Sequence, residues 1–164
     1  VASRTSPPLS EIAQVVNKIS QNLHAEMLLE AAGGLTVMDG FLQSSGIAKP
    51  DYRFVDGSGL SRLDLVTPRA LVRILASMKS NDAYVETLPV AGTDGSLQYR
   101  YRGTAGVGRV RAKTGGMTGV QTLAGYIDTK SGQRLAFAIL VNGDNGPGAQ
   151  TRALMDKLVA SFLE

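Results

Sequence analysis

No cysteine and no tryptophan occur among the 164 residues, and His24 is the single histidine. Without thiols there is no disulfide framework and no thiolate metal site. One imidazole cannot build a histidine-rich site either, so neither a metal nor a cofactor is expected. Aromatic residues make up only 5% of the chain, too few for a platform on which single-stranded bases could stack. Excess charge is scarce too: 17 Lys and Arg stand against 14 Asp and Glu, a net +3 with no sustained basic run. Nucleic acid is therefore not an expected partner. No apolar stretch approaches the roughly 20 residues that span a bilayer, so no transmembrane segment is expected. The opening, Val1-Ala2-Ser3-Arg4, has neither an initiator methionine nor a signal peptide and reads as a processed or excised segment. What remains is 43% hydrophobic residue content, enough for the core of one ordinary domain or part of one.

Ser6 followed by Pro7 predicts a helix start, with the serine as cap and the proline at the first helical position. Leu9, Ile12, Val16, Ile19 and Leu23 recur at helical spacing on one stripe. Leu23, Met27 and Leu28 begin a second apolar face that ends at Gly33-Gly34. Ser20-Gln21-Asn22 thus falls inside or between two helices. Thr36 with Asp39 resembles a capping box opening a short helix with Val37, Phe41 and Leu42, closed by Ser44-Ser45-Gly46. Tyr52 to Val55 is a strand candidate, and Asp56-Gly57-Ser58-Gly59-Leu60-Ser61-Arg62 is a glycine-rich loop. Thr67-Pro68 starts a helix with Leu71, Ile74, Leu75 and Met78 on its buried side. Residues 81–108 read as loop and short helix.

From Val110 the period changes to two. Val110 to Met117, Gln121 to Ile127 and Arg134 to Val141 predict three antiparallel strands, the last two joined by a turn at residues 128–132. The third strand is apolar on both faces and calls for helices on both sides. Ala153, Leu154, Leu158, Val159 and Phe162 predict a closing amphipathic helix. Met27, Met38 and Met78 read as core filler. There is no internal repeat, low-complexity tract or linker.

Lys113-Thr114-Gly115-Gly116 is the most informative segment. An ammonium, a hydroxyl beside it and two glycines that let backbone N–H groups come close to a ligand suit a carboxylate-bearing or acyl substrate. The plainer reading of Lys113 is a solvated charge on a strand edge. Ser20 and Asn22 have a plain reading as well, as helix-break residues satisfying backbone groups. His24 reads as a surface helix residue.

Four segments together resemble the class C low-molecular-mass penicillin-binding proteins, D-alanyl-D-alanine carboxypeptidases and endopeptidases of the bacterial cell wall. Ser20 to Leu29 resembles the second active-site motif with its following helix, and Asp56 to Arg62 resembles the glycine-rich loop. Arg111-Ala112-Lys113-Thr114-Gly115-Gly116-Met117 resembles the third motif. Leu123-Ala124-Gly125-Tyr126 with Leu135 to Gly143 resembles the hairpin after it. The first motif, Ser-x-x-Lys with the nucleophile, has no counterpart: no serine in the chain has a lysine three residues on. In the family that motif precedes a large insertion and the second motif follows it. The resemblance therefore covers residues 1–164 as the C-terminal part of the catalytic domain. Gln21 stands where Asp is usual, and Gly116 where a hydroxyl residue is common, which removes one substrate hydrogen bond.

The implied fold is α+β, an antiparallel sheet flanked by helices on both faces, incomplete without the N-terminal part. Its sheet edge is expected to be exposed, paired with another copy, or covered by a swapped element. The implied chemistry is acyl transfer from a D-Ala-D-Ala peptide through a serine ester, with β-lactams as ligands. In it Ser20 relays a proton to the departing amine, and Lys113 orients that hydroxyl and makes the cleft positive. Asn22 positions the peptide amide, Thr114 binds the terminal carboxylate, and the Gly116 N–H on the Gly115-Gly116 stretch is an oxyanion donor. Leu60 and Met117 wall the leaving-group pocket. The expected partners are a peptidoglycan stem peptide or β-lactam and the N-terminal remainder of the same protein. The expected location is extracytoplasmic, in the periplasm or cell envelope. The chain alone is expected not to acylate. A non-enzymatic peptidoglycan- or partner-binding module is the alternative, whereas a complete β-lactamase or esterase fails on the missing nucleophile.

Overall fold

A computed structural model describes residues 3–163; Val1 and Ala2, where the chain opens, and Glu164 lie outside them. The sheet comes from the predicted change of period. Strands β3 (Val110–Met117), β4 (Val120–Asp128) and β5 (Arg134–Asn142) lie antiparallel in the order β3-β4-β5. Register pairs Val110 with Ile127, Ala112 with Gly125, Leu123 with Ile139 and Gly125 with Phe137. Alternation therefore puts Val110, Ala112, Leu123, Ile127, Phe137 and Ile139 on one face, and Lys113, Ala124, Tyr126 and Ala136 on the other.

Helix α6 (Gly148–Ala160) covers the first face, with Met155 and Val159 in the same cluster as Val110, Leu123 and Ile127. Helix α4 (Pro68–Met78) covers the second, where Leu75, Val85 and Leu88 pack on Tyr126. The Tyr126 hydroxyl donates to the Leu75 carbonyl at 2.7 Å, so the one polar atom of this buried ring is satisfied. The α+β class, with helices on both faces of an antiparallel sheet, holds. The outer edge of β5 has no partner strand among the described residues.

Three helices precede a two-stranded ribbon: α1 (Leu9–Ile19), α2 (Asn22–Ala31) and α3 (Gly34–Ser44), then β1 (Tyr52–Arg53) paired with β2 (Leu65–Val66). A short α5 (Asp82–Val85) follows α4, whose Thr67 cap accepts the Ala70 amide at 3.1 Å. Leu42, Ile47, Tyr52 and Ala70 make the core under the ribbon.

Several expectations change. Helix α1 starts at Leu9, with Pro8 extended at ψ 147° in the cap position. A residue before proline is driven out of the helical region, so Pro7 cannot begin a helix while Pro8 follows it. Helix α3 starts at Gly34 and not at Thr36, because Gly33 adopts φ 107° and turns the chain there. Asp39 is thereby freed from capping, and it accepts from Tyr52 at 2.6 Å and pairs with Lys49 at 2.6 Å. The strand candidate at 52–55 shortens to two residues, and its partner β2 has no legible period.

The apolar stripes also differ. On α1 only Val16 is buried, while Leu9 and Ile19 are 67% and 66% exposed; Leu23, expected on the same stripe, lies on α2 and is 69% exposed. Met27 is exposed rather than core, and α2 buries none of its residues. On the closing helix Leu154, Leu158 and Phe162 face outward, and Met155 and Val159 take the buried side.

Candidate active site

The break between α1 and α2 falls at Ser20, which adopts a left-handed conformation (φ 62°, ψ 58°), and the amide of Gln21 turns back to the Val16 carbonyl at 3.1 Å. Non-glycine residues adopt this conformation at a cost of roughly 1–2 kcal/mol. The cost is local, and its result is a hydroxyl projecting beyond the end of α1. Across the gap, Lys113 Nζ donates to Ser20 Oγ at 2.7 Å, joining residues 93 apart in sequence. It also donates to the Thr114 carbonyl at 2.8 Å.

No carboxylate pairs with Lys113 among the described residues, so its charge is uncompensated. Burial pushes its pKa below the ordinary lysine value. An ammonium that donates to Ser20 Oγ fixes that oxygen as an acceptor, which directs the serine's own O–H away from the lysine and into the gap. The pair can therefore pass a proton outward while keeping its geometry. Thr114 shares a face with Leu123, and its hydroxyl donates to Ser96 Oγ at 2.8 Å.

Gly115 and Gly116 are exposed and lie opposite Thr122 and Gln121. A Cβ at Gly115 would stand 2.3 Å from Thr122 Oγ1, whereas one at Gly116 would meet nothing nearer than 3.6 Å. Met117 ends β3, half-buried. Asn22 begins α2 two residues from Ser20; it is exposed and makes no side-chain hydrogen bond among the described residues. Leu60 is 62% exposed on the loop 56–62. No hydrogen bond joins that loop to β3 among the described residues; its tie is to α2, where Glu26 accepts the amides of Gly57 and Ser58 at 2.9 and 3.0 Å.

Two features had no signal in the residue pattern. Ser96 follows a glycine in a loop, and its place beside Thr114 depends on the return of the chain. Asp94, which pairs with Lys18 at the end of α1, is likewise an ordinary turn residue in sequence. His24 is exposed on α2, outside this arrangement. Among the described residues no cluster of His, Cys, Asp and Glu could hold a metal ion.

The profile of the D-Ala-D-Ala carboxypeptidase 3 (S13) family matches residues 1–162. The chain belongs to that family. It is 40% identical to a D-alanyl-D-alanine carboxypeptidase of an Actinomadura species, over 90% of this chain and 31% of that protein. With the D-alanyl-D-alanine carboxypeptidase DacB of Haemophilus influenzae the identity is 32%, over 87% of this chain and 33% of the relative. The crystal structure of penicillin binding protein 4 (dacB) from the same organism superposes with a TM-score of 0.82 at 30% identity, covering 94% of this chain and 38% of that one. That protein has also been solved in complex with a novel β-lactam. The chain thus spans about a third of the length of the curated relatives it matches.

Proposed function

We propose that this chain forms the walls of a serine D,D-peptidase site whose nucleophile lies in an N-terminal remainder, and that the assembled protein cleaves peptidoglycan stem peptides ending in D-Ala-D-Ala and binds β-lactams. The observation that carries this reading is the 2.7 Å contact of Lys113 Nζ with Ser20 Oγ, an uncompensated ammonium on a hydroxyl at the rim of an open strand. Lys113 is half-buried and so is not a fully solvated edge charge.

In the reaction the absent serine attacks the penultimate D-Ala carbonyl, forming the C–O bond. The tetrahedral oxyanion collapses with loss of the C–N bond, and water then hydrolyses the acyl ester. The nucleophile's proton passes to Ser20 as Ser20 hands its own to the leaving D-Ala nitrogen, while Lys113 holds its oxygen. Thr114 takes the substrate's terminal carboxylate, the Gly116 N–H is one of two oxyanion donors worth about 3 kcal/mol each, and Asn22 orients the peptide amide. Leu60 and Met117 bound the leaving-group pocket. Such a substrate places the protein outside the cytoplasm, in the periplasm or cell envelope.

Exposed apolar side chains support a covering remainder. Ile19 and Leu23 flank Ser20 in sequence at 66% and 69% exposure, Leu9 and Met27 lie further along α1 and α2 at 67% and 59%, and the outer edge of β5 has no partner strand among the described residues. Residues 1–164 are accordingly the C-terminal part of a catalytic domain, and self-association through the β5 edge competes with that cover when the remainder is missing.

The test is incubation with a fluorescent penicillin. The expected result is no covalent label on the 164-residue chain and a label on the full-length protein. A covalent adduct on the short chain overturns the claim of inactivity. A full-length protein that folds but does not label overturns the peptidase reading and favours a binding module.

A further inference from the structure

Helix α1 carries Ser20 but has little packing to hold it, since Val16 is its one buried residue and Leu9, Val15 and Ile19 face outward. Its last turn is instead tied by polar and main-chain contacts to the segment between α5 and β3. Asn17 Nδ2 donates to Thr87 Oγ1 at 2.8 Å. Lys18 pairs with Asp94, whose other carboxylate oxygen accepts the Val90 amide at 2.9 Å. Beside that pair Gly95 lies on the backbone of Lys18 so closely that a Cβ there would stand 2.9 Å from the Lys18 carbonyl. The next residue, Ser96, accepts from Thr114. Lys18 stands two residues before Ser20, and Thr114 one residue after Lys113. The Ser20–Lys113 contact is therefore one side of a closed ring, and Lys18, Asp94, Gly95, Ser96 and Thr114 form the other.

We infer that Asp94 is a positioning residue: its ion pair with Lys18 holds the last turn of α1, and with it the Ser20 hydroxyl, against the Lys113 ammonium. This inference rests on the peptidase reading for its kinetic consequence, though not for its geometry. Asp94 touches neither Ser20 nor Lys113 in a hydrogen bond, so its effect passes through Lys18. The two side chains are 19% and 35% exposed, which keeps the pair partly sheltered from screening.

Asp94→Asn keeps an oxygen for the Val90 amide while discharging the pair, and Lys18→Met removes the other half. In the full-length protein each is expected to slow acylation by fluorescent penicillin about ten- to a hundredfold, the range for displacement of a reacting group by a fraction of an ångström to one ångström. The concentration for half-saturation should change little. The double variant should be no slower than the worse single one, because both remove the same contact. In the same protein, an NMR titration of the Lys113 side chain should show its midpoint rising toward the ordinary lysine value in Asp94→Asn, as water reaches a released ammonium. Parental acylation rates in both variants, or a loss that only follows the folded fraction, overturns the inference. So does an unshifted Lys113 titration. If the parent itself does not label, the peptidase reading fails, and the titration still decides the positioning claim.

Discussion

Glu26 and Gly57 are bonded across the gap between α2 and the glycine-rich loop, carboxylate to amide at 2.9 Å. The contact has no room to spare, since a Cβ on Gly57 would lie 2.9 Å from Leu29 Cβ and 3.0 Å from the Ala25 carbonyl. The loop 56–62 is thus seated directly on the helix that starts at Asn22. Hydrogen bonds from Ser58 and then Gly57 hold the Glu26 carboxyl below its ordinary pKa.

Glu26→Gln should therefore loosen the loop. A carboxylate with a lowered folded pKa contributes stability that is present above its ordinary value and lost as pH falls through the folded one. The wild type should exceed the variant at neutral pH, and the gap should close on acidification. Urea unfolding across pH 3–7 checks the convergence, and faster amide exchange at Gly57 and Ser58 in the variant checks its location.

The Lys113 ammonium titrates below an ordinary lysine because it is buried, and this gives a second pH dependence. Between its folded value and the ordinary one the unfolded chain binds more protons, so stability rises with pH across that alkaline window. Lys113→Met has no such group, and the alkaline rise expected of the wild type should be missing from its urea midpoints. In the full-length protein the same change, like Ser20→Ala, should lower penicillin acylation about a hundred- to a thousandfold, the loss expected of a proton-transfer partner.

Two glycines of the hairpin should respond oppositely. A Cβ on Gly125 would come within 2.1 Å of the Arg111 carbonyl and 2.5 Å of Ala112 Cα, both main-chain atoms that cannot turn aside. Gly125→Ala should cost about 3 kcal/mol or more by forcing β3 from β4, read as a fall in thermal midpoint. Gly116 has space, so Gly116→Ser should leave stability within about 0.5 kcal/mol. In the full-length protein it should tighten β-lactam binding by a few-fold, the value of one added hydrogen bond.

Removing the Tyr126 hydroxyl tests the join between α4 and the sheet. Tyr126→Phe leaves the Leu75 carbonyl without its side-chain donor and should cost about 1 kcal/mol in chemical denaturation, with no change in the strand content seen by circular dichroism.

Much of the fold was legible because its signals are local. The alternation from Val110 to Val141 locates β3, β4 and β5 to within a residue or two, and Thr67-Pro68 marks the start of α4. The helix break at Ser20 was not legible: the stripes leave residues 20–22 inside or between two helices, and the left-handed Ser20 decides it. Other elements depend on their neighbours: β2 is two residues long and is defined by the partner it finds. Of the stripe expected on the closing helix Val159 is buried, but Leu154, Leu158 and Phe162 are exposed and Met155 is buried in their place; these side chains are about equally apolar, and only the sheet beneath chooses among them.

Of the candidate site, the sequence alone determined the kinds of group, an ammonium, hydroxyls and close-approach glycines, because motif and spacing are properties of short segments. Which of them meet was decided only by the tertiary structure. Ser20 reaches Lys113 across 93 residues, and Lys18 reaches Asp94 across 76, through the return of a loop onto the end of a helix. No local pattern encodes such a return, since it is set by how the sheet and helices pack.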